Sequence, residues 1–175
     1  LTILVTVALL AFSVKIGTSN YQRARLMNWL QPTEEIGDIQ QHASKLAMGS
    51  GEILGRGPGS SRLKNGHLPA AHTDFILAIL GEEYGFTGVL VLFILFGVIF
   101  HNGIKILQIA PDRFGLFLAL GIILNLIFYF LINVAYVIGF APNTGLTMPF
   151  VSYGGSNTIF TLGAVGLLMS IAREA

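Results

Sequence analysis

The residues best placed to do chemistry lie in the run His67-Leu68-Pro69-Ala70-Ala71-His72-Thr73-Asp74-Phe75, where a polar stretch meets a long apolar one. A carboxylate at such a boundary loses part of its hydration, which strengthens it as a general base. The alternative for Asp74 is structural: Asp or Thr just before an apolar helix caps its free backbone N–H groups, and the spacing alone favours that cap. Glu82 and Glu83 follow eight and nine positions on. If the helix begins near Phe75 they sit two turns deep, where an ionisable side chain is costly and functional by default. If hydrocarbon begins at Tyr84, they lie in the headgroup layer. Residues 84–100 are barely long enough to span, which favours the first placement. Separated by 100° of helix, at most one of the two can face a given cavity.

Upstream, Gly49-Ser50-Gly51 and Gly55-Arg56-Gly57-Pro58-Gly59-Ser60-Ser61 require tight turns. No Gly-Lys-Ser/Thr follows, so this is not a P-loop. Glycine-rich backbone N–H groups beside Arg56, Arg62 and Lys64 suit a phosphate or pyrophosphate; a plain solvent-exposed turn accounts for them equally well. His67, His72, Asp74 and the glutamates lack metal-ligand spacing, and no metal ligand is assigned. Asn125, Tyr129, Asn133 and Tyr136 form one polar stripe on an otherwise apolar segment. Hydrogen bonding between helices is the preferred reading of that stripe. The uncharged, turn-rich segment 141–156 follows; Gly154-Gly155 permits a tight re-entry, Ser156 can cap the next helix, and Gly163 and Gly166 allow close helix approach.

The elements that must position these residues are membrane-spanning. Of 175 residues, 53% are hydrophobic and 11% charged, with a mean hydropathy of +0.72; soluble domains carry about 25% charged residues. Apolar segments cover 75–100, 114–140 and 156–172, and 1–14 reads as the end of a further span. No proline interrupts the second to fourth segments, so each is expected to run as an unbroken helix. The stretch 15–74 holds most of the charges; within it, Ile39, Ala43, Leu46 and Ala47 recur at helical spacing, as on an amphipathic helix lying on the membrane or against the bundle. Ten Lys and Arg against nine Asp and Glu, with no basic stripe, exclude nucleic acid. The absence of cysteine excludes disulfides and thiolate chemistry. Lys15, Arg23, Arg25, Lys45, Arg56, Arg62 and Lys64 would place the long loop in the cytoplasm by the positive-inside count, which loops near 60 residues follow only weakly.

Three motifs in order resemble the SEDS family (shape, elongation, division and sporulation), the FtsW, RodA and SpoVE type of membrane protein. They are Leu68-Pro69-x-x-His72-Thr73-Asp74-Phe75-Ile76, Gly81-Glu82-Glu83-x-Gly85-x-x-Gly88, and Thr144-Gly145-Leu146-Thr147-x-Pro149-x-x-Ser152-Tyr153-Gly154-Gly155-Ser156. The glycine run 49–61 is similar to the family's long extracytoplasmic loop. The wording is closer to the FtsW branch than to RodA. It departs from the pattern at Thr144, where division-type members often carry Lys, and at Asn157, where Ser is usual.

The resemblance implies an all-α integral membrane protein, 1–175 being the C-terminal part of a ten-helix bundle and inactive by itself. It implies a multi-pass protein of the bacterial cytoplasmic membrane, with 15–74 outside and the C-terminus inside, against the cation count. The implied activity is a peptidoglycan glycosyltransferase polymerising lipid II by inverting transfer. Asp74 would be the catalytic base, with His72, Glu83, Arg56, Arg62, Lys64, Ser152, Gly154, Gly155 and Ser156 around the substrate. Basic side chains or a divalent cation, magnesium or manganese, would stabilise the leaving pyrophosphate. The implied partners are a class B penicillin-binding protein transpeptidase, other divisome or elongasome membrane proteins, and membrane lipids. A lipid II flippase and a non-catalytic scaffold are the competing readings.

Overall fold

The computed structural model describes Met27, Trp29 and residues 36–62, 73–142 and 144–174. The segment 1–14, expected to end a span, lies outside the described residues, as do His67, His72 and Lys64. Four helices make up the described fold: α1 (Ile36–Ser50), α2 (Ile76–Ile109), α3 (Arg113–Ile138) and α4 (Gly155–Glu174). No strand occurs among the described residues. By length and composition α2, α3 and α4 can each cross a membrane. Their large apolar side chains mostly point outward, as with Leu90, Val91, Ile94, Leu95 and Val98 of α2. That is the reverse of a soluble core and suits a lipid surround.

A short connection folds α3 back along α2. Asp112 starts α3 as an N-cap, accepting a 2.7 Å hydrogen bond from the Gly115 N–H. Phe96 stacks on Phe130 with centroids 4.2 Å apart, tying α2 to α3. Lower down, Ala119 and Ile123 of α3 pack with Leu168 and Ile171 of α4. Gly163 and Gly166 meet no neighbour among the described residues, so the close approach expected there is not made within them.

The amphipathic helix expected near residues 38–48 is α1, and it packs on α2 and α3. Its inward face is more polar than the spacing suggested, because it caps α3. The last carbonyls of an α-helix lack intrahelical partners. Here Gln41 Nε2 donates to Tyr136 O (2.6 Å) and Ala141 O (2.9 Å). Ser44 Oγ donates to Val137 O, and Trp29 Nε1 to Gly139 O. Leu46, expected on the buried face, is 61% exposed.

The expectation of an unbroken second span is overturned at Gly85. Its φ of 65° and ψ of −160° are non-helical, so α2 is a short helix, 76–84, joined to residues 86–109, about 36 Å of helix. The second part is long enough to span by itself, and it runs well past Phe100, where the apolar pattern placed the end of the segment. The break orphans two backbone N–H groups and two carbonyls, and the loop after α1 takes all four. Phe86 and Thr87 donate to Glu52 O and Ile53 O, while Arg56 and Gly57 donate to Glu82 O and Glu83 O, at 2.9–3.1 Å. Proline is therefore not needed to interrupt the helix; a glycine with an external set of partners suffices.

Contact this close between two backbones excludes side chains. A Cβ on Gly85 would fall 2.4 Å from Gly55 N, and one on Gly55 2.2 Å from Glu83 O. The Gly85 conformation is one that essentially only glycine adopts, at about 1–3 kcal/mol for other residues. Gly85→Ala is therefore expected to cost at least that much, read as a lower melting temperature of the purified full-length protein and a loss of membrane-inserted yield. A melting temperature equal to wild type would contradict the splice.

Candidate active site

Asp74 sits immediately before α2, half-buried. The N-cap of α2 is Phe75, and no side chain caps it; Ala78 and Ile79 donate to Phe75 O instead. The capping role that the spacing favoured is thus not the one Asp74 plays. Its carboxylate lies beside the loop after α3, where a Cβ placed on Gly145 would be 3.6 Å from Asp74 Oδ2. Gly145 itself has a φ of 70°.

What holds Asp74 there is the end of the polar stripe. Asn133 and Tyr136 are fully buried. Asn133 Nδ2 donates to Tyr136 Oη at 2.7 Å, to Leu146 O at 2.9 Å and to Asp74 O at 3.3 Å. The single Tyr136 hydroxyl hydrogen is shared between Asp74 O and Leu146 O, the latter 3.0 Å from Oη. The Tyr136 ring meets Phe75 edge-on, centroids 5.7 Å apart. One pair of side chains therefore gathers the carbonyls of two separate segments, the Asp74 leader and the 144–149 loop. The preferred helix-to-helix reading of the stripe needs correcting: this half binds loop backbone, since loops carry the unpaired carbonyls. The other half, Asn125 and Tyr129, lines a cleft of about 500 Å³ between α3 and α4 with Asn157 and Thr161.

The loop is braced from within. Ser152 Oγ accepts the Met148 N–H at 2.8 Å, and Asn157 Nδ2 donates to Thr147 Oγ1 at 2.8 Å. Ser152 is buried in this role. Ser156 does not cap α4, because the helix already begins at Gly155; Thr158 N–H is received by Gly154 O. Ile76, Ser152, Tyr153, Gly154 and Gly155 border a cavity of about 760 Å³ next to the Asp74 leader.

A second group of the expected site residues lies elsewhere. Glu82 and Glu83 are 2% and 7% exposed, and both face the loop after α1. Ser61 Oγ donates to Glu82 Oε2 at 2.7 Å, Arg62 N–H to Glu82 Oε1 at 3.1 Å, and Ser61 N–H to Glu83 Oε1 at 3.4 Å. Arg56 Nη1 is 3.9 Å from Glu82 Oε1. Both glutamates reach the loop because it wraps round the helix end, while the cavity beside Ala43, Ala47 and Arg62 is lined by Glu82 and not Glu83. Eight to nine residues of helix, about 13 Å, separate this group from Asp74. Arg56, Arg62 and Glu83 are thus not brought up to the Asp74 carboxylate, whereas Gly145, Ser152, Gly154 and Gly155 are on its side.

Comparison with known proteins decides what this arrangement belongs to. The sequence profile of the FtsW/RodA/SpoVE family, described as cell cycle proteins, matches residues 1–175. The chain belongs to the FtsW/RodA/SpoVE family. It is 43% identical over 157 residues to a probable peptidoglycan glycosyltransferase FtsW of Geobacter sulfurreducens, covering 89% of this chain and 42% of the relative. It is 41% identical over 169 residues to stage V sporulation protein E of Bacillus subtilis, covering 95% and 46%. Among solved structures, a chain from a peptidoglycan synthase complex that coordinates polymerization and crosslinking superimposes with a TM-score of 0.69 at 29% identity, over 99% of this chain and 49% of that one. The chain thus spans less than half the length of these relatives, and it is part of a multi-pass membrane protein.

In this FtsW/RodA/SpoVE chain the residues that sequence reasoning undervalued are Asn133, Tyr136 and Gly145, which locate the Asp74 leader. The available signal was an Asn and a Tyr three apart at the very end of an apolar helix, where the partners are loop carbonyls. Tyr136→Phe removes one donor while Asn133 still reaches both carbonyls; a loss of about 1 kcal/mol is expected. Asn133→Leu leaves more of the cluster unpaired and is expected to cost about 1–3 kcal/mol. Thermal unfolding of the two full-length variants checks the order, and equal melting temperatures would show that the carbonyls are held by something else.

Proposed function

We propose that the full-length protein is a peptidoglycan glycosyltransferase that polymerises lipid II at the outer face of the cytoplasmic membrane during cell division or elongation. The observation that carries the reading is the Asp74 carboxylate: it is not spent on the helix terminus, and its backbone is fixed on both sides of a loop junction. The names of the related proteins support the same reaction.

In the proposed reaction Asp74 takes the proton from the 4-hydroxyl of the acceptor sugar. The hydroxyl oxygen attacks the anomeric carbon of the lipid-linked donor with inversion, and the bond to the polyprenyl pyrophosphate breaks, the electron pair leaving with the pyrophosphate. An ordinary aspartate is a weak base at neutral pH, so the rate has to come from close positioning of the hydroxyl. The Asn133–Tyr136 clamp supplies that rigidity at the Asp74 backbone. The leaving pyrophosphate would be stabilised by basic side chains or by a divalent cation, magnesium or manganese.

The proposed orientation puts 15–74 outside and the C-terminus inside. Three crossings by α2, α3 and α4 carry the chain from one side to the other. Lys105, Arg113 and Arg173 lie toward a common end, where α3 and α4 meet through Gly115 and Ile171, and this end would face the cytoplasm. A class B penicillin-binding protein is the proposed transpeptidase partner, alongside other divisome or elongasome proteins and the surrounding lipids; the relation to a synthase complex supports this. The polar-floored cleft between α3 and α4 is the feature a lipid II flippase would need. Polymerisation in detergent, where there is no membrane to cross, separates the two.

The decisive test uses the full-length protein with its cognate transpeptidase and lipid II. Wild type is expected to make glycan strands, and Asp74→Asn to make none while keeping its melting temperature. An active Asn variant would sink the role of the base.

A further inference from the structure

The cavity of about 760 Å³ beside the Asp74 leader falls within the range of about 300–1,000 Å³ typical of small-molecule sites. None of its lining residues is charged. Ile76, Val151 and Ile159 give it apolar walls, while Thr158 and the bare backbone at Gly154 and Gly155 give it polar ones. Such a lining offers a pyrophosphate no charge to pair with. It suits a neutral group that is apolar on one side and polar on another.

Tyr153 is the largest side chain on this lining and is 81% exposed. The exposure is not slack in the loop. On one side Ser152 is buried, its N–H on Met148 O at 3.1 Å and its Oγ on the Met148 N–H. On the other, Gly154 O receives both the N–H and the hydroxyl of Thr158, at 2.9 and 3.0 Å. Phe150, in the same turn, holds a φ of 65°, which costs a residue with a side chain about 1–3 kcal/mol. A backbone bound on both sides thus presents one flat ring to the cavity. Gly155 lines the same space, although a Cβ there would meet nothing within 4 Å.

The loop that carries Tyr153 also runs past the base. Gly145 lies beside Asp74 Oδ2, Asn133 binds Leu146 O, and Thr147 is joined to Asn157 and lies 3.9 Å from where a Gly154 Cβ would be. A pyranose ring is the neutral two-sided group that this neighbourhood has to accommodate: it has a face of C–H bonds and a rim of hydroxyls. An aromatic ring packs on such an apolar face while hydroxyl and backbone groups meet the rim.

We propose that Tyr153 binds the acceptor sugar, its ring stacked on the C–H face of the pyranose whose 4-hydroxyl Asp74 deprotonates. This rests on the glycosyltransferase reading. The stacked contact is the same before and during the transfer, so its contribution falls on KM and not on kcat. A lipid chain in the same cavity would need apolar area but no flat ring, and leucine would serve it as well as tyrosine.

The test is steady-state polymerisation of lipid II by the full-length protein with its transpeptidase. Wild type is compared with Tyr153→Leu, Tyr153→Phe and Gly155→Leu, each with its melting temperature. Tyr153→Leu is expected to raise KM for lipid II roughly tenfold, with kcat and melting temperature held. Tyr153→Phe keeps the ring face and is expected to stay within about threefold of wild type. Gly155→Leu projects a side chain into the same space and should raise KM without lowering the melting temperature. Wild-type KM in Tyr153→Leu would overturn the stacking and leave the polymerase intact. So would equal losses in the Leu and Phe variants, which would assign the effect to the hydroxyl, or losses that fall on kcat. Losses that follow the melting temperature would overturn it too, by showing that the ring packs against the rest of the polypeptide. If Tyr153→Leu does not fold, Gly155→Leu decides: a raised KM at an unchanged melting temperature supports the sugar site, and a wild-type KM overturns it. An inactive wild type overturns the glycosyltransferase reading itself, and this inference with it.

Discussion

A helix that breaks inside a bundle leaves donors and acceptors with no water to satisfy them, and the features of this end of the protein follow from how that demand is met. At Gly85 the two N–H groups and two carbonyls that helical geometry would have paired are paired instead with the segment 52–57. Nothing is lost in hydrogen-bond number, but the partners change from local to distant. The loop becomes part of the helix's own backbone ladder. Its register is fixed, because a shift of one residue would misalign all four bonds together and drive Gly55 or its neighbours into the helix.

That attachment creates a second demand. Residues 76–84 no longer continue the membrane span as one rod, so they need other partners to stay put. α1 packs along them, α3 holds their leading residue through Asn133 and Tyr136, and the core around Phe75, Leu77, Ala78 and Met148 closes the space between. Polar side chains inside an apolar helix are expensive. Here they are placed at its end, where they bind the carbonyls of two turns that would otherwise be orphaned. The same end of α3 is closed from the other side by Trp29, Gln41 and Ser44.

Much of this was legible in the sequence, and the parts that were not share one cause. Apolar runs located the three described spans, because lipid demands length and composition above all. The motifs around Asp74, Glu82 and Ser152 identified the family. Periodicity cannot show a helix that breaks at a glycine and borrows partners from residues 30 positions earlier, since nothing local marks the event. For the same reason Asp74 looked like a cap, and Asn133 with Tyr136 looked like contacts between helices. Each was judged from its own helix, while its actual partner is a loop. Leu46 failed in the opposite sense: its spacing placed it inward, but the inward face of α1 is taken by Gln41 and Ser44, whose hydrogen bonds outweigh one buried leucine.

The way α1 is seated on α3 has a bearing on its electrical character. Three side chains that hydrogen-bond the carbonyl end of α3 are neutral, an indole, an amide and a hydroxyl, and the Lys45 ammonium lies beside the Gly139 C-cap. A helix terminus stabilised by Lys or Arg loosens as counterions accumulate around it. One closed by dipoles has no such dependence. The three neutral hydrogen bonds at the seat of α1 thus persist as ionic strength rises, while the contribution of Lys45 is screened.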